Sequence, residues 1–167
     1  MSEPLMQRLW GVVSAVNRWF ALLAAALILL LMIVVVQDVV RRAVLGTPSL
    51  WALDLARILL TQIFFLALAP ALQSGHHVSV DLFAHLWPRP LAALMPRLAG
   101  LLCVVFGAIL LWFVGWSVAR DFADDALAQT VLPIPKKWIV AIGPVGCAQF
   151  LLTAVVLALR PPPPQEA

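Results

Sequence analysis

Four stretches long enough to cross a lipid bilayer carry almost no charge, and they leave little choice of fold. Phe20–Val36 (17 residues), Leu98–Val118 (21) and Trp138–Leu159 (22) contain no Asp, Glu, Lys or Arg. The remaining one, from about Trp51 to Gln73, is uncharged over the 15 residues Ile58–Leu72 but carries Asp54 and Arg57 near its start. A hydrocarbon core of about 30 Å takes roughly 20 helical residues to cross. Inside it every backbone N–H and C=O must be satisfied within the protein, so runs of this kind become helices. The 167-residue chain is 63% apolar and 11% charged, with a mean hydropathy of +1.02, far from the mix of a water-soluble domain.

The expected fold is an all-α integral membrane protein with four transmembrane helices at about 19–40, 51–73, 97–118 and 138–159, in one domain over residues 1–160. Four crossings place both termini on one side. Trp19, Trp51, Trp116 and Trp138 fall at the expected boundaries, where Trp is enriched. The first run is too long for the apolar region of a cleaved signal peptide, and no small-x-small site precedes Asp38 and Arg41, so it stays as a helix.

Two short amphipathic helices are expected at the interface. One is Leu5–Val16, with Leu5, Leu9, Val12, Val13 and Val16 at helical spacing; the other is Val78–Trp87. Gly46-Thr47-Pro48-Ser49 breaks the chain between the first two spans, and so short a connection makes them antiparallel neighbours. Ser49 stands where it can cap the second helix, and Pro70 is expected to kink its last turns. The tail 161–167 opens with four prolines, cannot continue a helix and is expected to be disordered.

Several function classes drop out on composition. The net charge of +3 comes from 11 basic residues spread over every loop, with no basic stripe, so nucleic acid is not a partner. Cys103 and Cys147 lie inside spans and read as small packing residues. No phosphate-binding loop, zinc-protease or nucleophile-elbow motif occurs, so neither an enzyme nor a cofactor is expected. With no inverted repeat and no pair of broken helices, transport by this chain alone is not expected either; it reads as an accessory subunit.

The polar residues carry what functional signal there is. Asp54 and Arg57 share a helix face and are costly within a span. They either bind a second subunit and fix neighbouring helices, or form a self-satisfied pair near the interface. His76, His77 and His85 invite a haem-anchor reading. All three lie in one loop with no ligand cluster on another span, so a metal or haem is not the favoured reading, and His77 is expected to bond the helix end with Asp81 as its partner. Asp121, Asp124 and Asp125 form the most acidic stretch, read either as a partner surface or as a solvated loop. Orientation stays open from charge, because five basic residues on one side stand against six on the other.

Taken together, Arg41 after the first span, Trp51 followed by an acidic residue and Arg57, Gly75, and the run His77-Val78-Ser79-Val80-Asp81 resemble a known family. Pro135, Trp138 and Gly143-Pro144-Val145-Gly146 continue the likeness. The chain is similar to the small membrane subunit of tripartite ATP-independent periplasmic (TRAP) transporters, the DctQ-like proteins. One departure is Asp54, where the family commonly has Glu. The resemblance implies a scaffold subunit in the bacterial inner membrane with cytoplasmic termini. Its implied partners are a large multi-span subunit that moves like an elevator and a soluble periplasmic binding protein, with sodium driving uptake of an organic acid. It implies interface or structural roles for Arg41, Trp51, Asp54, Arg57, Gly75, His77 and Asp81. Asp121, Asp124 and Asp125 would then face the binding protein. A haem-binding anchor of a respiratory enzyme is the competing reading.

Overall fold

The computed structural model describes residues 3–47, 49–74, 89–123 and 139–159. Every element among them is helical: α1 (Glu3–Leu45), α2 (Leu50–Gln73), α3 (Arg89–Ala123) and α4 (Ile142–Leu159). All four are long and apolar enough to cross a membrane. The expected all-α membrane fold is therefore the one observed.

The 43 residues of α1 give a rod about 65 Å long, twice what a bilayer needs. No separate interfacial helix precedes the first span; Leu5–Val16 is the first part of α1 itself. The reason is local. No helix breaker stands between Val16 and Trp19, so the helix propagates straight into the apolar run. This segment is also held on the bundle, with Val13 buried and its carbonyl 3.5 Å from the side-chain amide of Gln149 on α4. The second expected interfacial helix, Val78–Trp87, and the Pro-rich tail lie outside the described residues.

α1 stops at Gly46, whose φ of +69° is left-handed and whose N–H donates to the Arg42 carbonyl at 3.1 Å. Ser49 occupies the N-cap of α2 as expected, but its hydroxyl makes no capping bond. Its backbone N–H instead donates to Asp38 Oδ1 at 2.7 Å, while Asp38 Oδ2 accepts from Arg42 at 3.0 Å. One carboxylate thus ties the end of α1 to the start of α2. α2 continues as helix through Pro70 to Gln73, where the Ser74 N–H donates to the Pro70 carbonyl.

Spatial order departs from chain order. α1 packs on α2, α2 on α4, and α4 on α3, while α1 touches α4 only lightly and α3 has no comparable interface with α1 or α2. α4 is the centre: 44% of its most apolar window is buried, against 6% for α3. Two clusters form the core. Val34, Ala52 and Leu59 join α1 to α2, and Ala69, Leu72, Phe150 and Ala154 join α2 to α4.

Small residues set how closely the helices approach. A Cβ at Gly146 would collide with the Phe65 carbonyl on α2, so α4 can lie on α2 only because that atom is missing. On α3, Gly107 faces Phe150 and Gly100 faces Ala158. Gly115, on the same helix, has open space around it.

Candidate functional site

Four of the expected interface residues, Arg41, Trp51, Asp54 and Arg57, stand at one end of the α1–α2 hairpin. The Asp38–Ser49 bond brings the last turns of α1, with Arg41, beside the first turns of α2, with Trp51 and Asp54. Trp51 is half-buried against the Val34–Ala52–Leu59 cluster, which explains a bulky aromatic there. Arg41 is exposed on α1, on the same open face as Ile33, Val36, Gln37, Val40 and Val44.

Asp54 and Arg57 share a helix but not a fate. Asp54 is buried at 6% exposure, whereas Arg57 is exposed. Among the described residues the ion pair is Asp38–Arg42, so the pairing of Asp54 with Arg57 that their spacing allows is not made. Arg57 contributes its carbonyl to the Thr61 hydroxyl at 3.0 Å. Its guanidinium is directed away from the core, which suits contact with headgroups or another chain.

At the far end of α3, Asp121 is buried at 8% exposure and Arg120 stacks its guanidinium 5.1 Å from the Trp116 ring. Of the two readings of the acidic stretch, the solvated loop does not hold for Asp121. Gly75, His76, His77, Asp81, His85, Asp124 and Asp125 lie outside the described residues.

A second polar constellation, invisible to motif reading, sits at the opposite end of the hairpin. Asn17 on α1, Gln73 on α2, and Gln149 and Thr153 on α4 meet in one network. Asn17 donates to Gln73 Oε1 at 2.6 Å and to Thr153 Oγ1 at 3.2 Å, and its own Oδ1 accepts from Gln149 Nε2 at 2.8 Å. Thr153 Oγ1 donates to the Gln149 carbonyl at 2.8 Å. Asn17 is 2% exposed and Thr153 is fully buried, so each bond replaces water that neither side chain can reach. Farther along, Gln62 donates to the Ile139 carbonyl and fixes where α4 begins on α2. The available signal was modest: uncharged polar residues inside or bordering apolar runs, with Gln149 and Thr153 one turn apart.

This arrangement holds helices together and exposes apolar flanks. Large apolar side chains stand exposed along α1 from Trp19 to Leu45 and along α3 from Leu98 to Phe122. Surfaces of that extent need lipid or another chain to cover them.

A search of curated proteins finds no match to the chain. The family model described as the DctQ component of tripartite ATP-independent periplasmic transporters matches residues 31–161. That stretch runs from the middle of α1 through the end of α4 and takes in Arg41, Trp51, Asp54 and Arg57. Members of that family are transporter components, not enzymes, and this multi-pass membrane protein belongs to the DctQ component family of the TRAP transporters.

Proposed function

We propose that this chain is the static scaffold subunit of a sodium-driven TRAP transporter that takes up an organic acid. It would sit in the bacterial inner membrane with both termini cytoplasmic, enlarge the fixed frame on which a large elevator subunit moves, and help dock a periplasmic binding protein. The observation that carries this reading is the family match over residues 31–161, which includes the charged end of the hairpin. Exposed apolar flanks on α1 and α3 support it, because a scaffold needs membrane surface to offer a larger subunit. Asp124 and Asp125 supply negative charge suited to a soluble partner.

The test is affinity purification of the tagged chain from native membranes in mild detergent, with mass spectrometry of what stays bound. A stoichiometric partner of ten or more spans is expected. A flavin or iron–sulfur subunit together with a Soret band would overturn the scaffold reading in favour of the haem anchor. Within the same assay, Arg57→Ala and Asp54→Ala are expected to reduce recovery of the large subunit more than Asp81→Ala does. Equal recovery of the three variants removes the charged hairpin end from the interface.

A further inference from the structure

The polar network has a direction, and it ends in an open cleft. The Val13 carbonyl can only accept, so Gln149 Nε2 must be the donor near it and must also be what Asn17 Oδ1 accepts from. Asn17 Nδ2 is then the donor to Gln73 Oε1. Gln73 is left with its Nε2 hydrogens to offer, and no acceptor for them lies among the described residues.

That carboxamide lines a cleft of about 300 Å³ between α1 and α2, with Ser14, Asn17, Arg18, Pro70 and Ser74. Arg18 is exposed there, and no carboxylate pairs with it among the described residues. The two serine hydroxyls donate to carbonyls of their own helices, Ser14 to Gly11 at 3.1 Å and Ser74 to Ala71 at 2.9 Å. The carbonyls at the end of α2 would repel an anion. Ser74 covers two of them, through its hydroxyl to Ala71 and its N–H to Pro70. What the cleft presents is one positive charge and a fixed amide donor, set beside a buried, fully bonded asparagine.

We propose that this cleft binds a phosphate group, supplied by the headgroup of an anionic phospholipid or by free phosphate. Guanidinium and amide donors are the chemistry that recognises phosphate oxygens. At the low end of ligand-pocket volumes, the cleft suits a headgroup and not a whole lipid. Arg18 is also the last charge before the uncharged run Phe20–Val36, and Trp19, Leu22 and Leu23 stand exposed just beyond it. A phosphate in the cleft would therefore have its acyl chains against apolar surface. The site is independent of the scaffold role and stands or falls separately from it.

The experiment titrates the purified full-length chain in nonionic detergent with phosphatidylglycerol and counts bound lipid by native mass spectrometry. One lipid is expected to be retained by the unmodified chain. Arg18→Gln should weaken it about tenfold, the loss of one charge-assisted hydrogen bond. Gln73→Glu keeps the acceptor for Asn17 but turns the outward donor into a negative charge, and should weaken binding at least as much. Arg41→Gln, at the opposite end of α1, should leave it unchanged. Displacement of the lipid by millimolar inorganic phosphate would show that the phosphate group suffices; no displacement would show that the lipid is the source. Unweakened binding by both Arg18→Gln and Gln73→Glu, or an equal loss in Arg41→Gln, would overturn the proposal.

Discussion

The two ends of the α1–α2 hairpin are held in opposite ways. At the turn end, Asp38 bonds Ser49 eleven residues away and Arg42 one helical turn away. At the open end, Asn17 reaches Gln73 across 56 residues and Thr153 across 136. The first clamp is local, charged and partly solvated; the second is neutral, buried and shared by three helices. A charged clamp works where water can help to solvate it, while a neutral one can go where water is absent. Division of labour follows: the turn end sets the hairpin, and the open end sets where α4 docks on it.

Breaking the buried end should cost most. Asn17→Leu removes three bonds and leaves Gln73, Gln149 and Thr153 short of partners, a loss of about 2 kcal/mol readable by reversible denaturation in detergent. A loss no greater than that of an exposed substitution would mean the network is incidental to stability. Thr153→Val sharpens the comparison, since it keeps shape and deletes one hydroxyl. Its expected cost is about 1 kcal/mol, with Asn17 still bonded to Gln73. Asp38→Ala should lower the melting temperature less than Asn17→Leu does, because it removes two bonds and not three and the exposed Arg42 can turn to water. Arg42→Gln should have the smallest effect, its guanidinium being mostly exposed, and whatever effect it has should vanish at high salt. A melting temperature for Asp38→Ala below that of Asn17→Leu would reverse the ranking of the two ends.

Local features were legible because their causes are local. The hairpin turn follows from Gly46 and Pro48, and the N-cap position of Ser49 from the break before it. Asp38 as the acceptor for Ser49 was not legible, since nothing in the spacing distinguishes it from an ordinary helix-end carboxylate. Asp54 and Arg57 were legible as costly residues in a span. Their separation into one buried and one exposed group depends on which face of α2 meets α1. The amphipathic stretch Leu5–Val16 was misread as a separate helix because its periodicity says which face is apolar and not whether the axis turns.

The sequence by itself determined that the chain is four apolar helices in a membrane, since uncharged runs of this length have no other way to satisfy their backbones. It also marked the hairpin and the family, through charges and breakers that stand out against an apolar background. Only the tertiary structure decided that α4 lies at the centre and α3 at the flank, although their uncharged runs are 22 and 21 residues long. In lipid the outside of a helix is as apolar as its inside, so hydrophobic pattern carries little information about neighbours. The choice falls to close fit at Gly146 and to the few amides and hydroxyls that must find one another, and those are properties of helices already assembled.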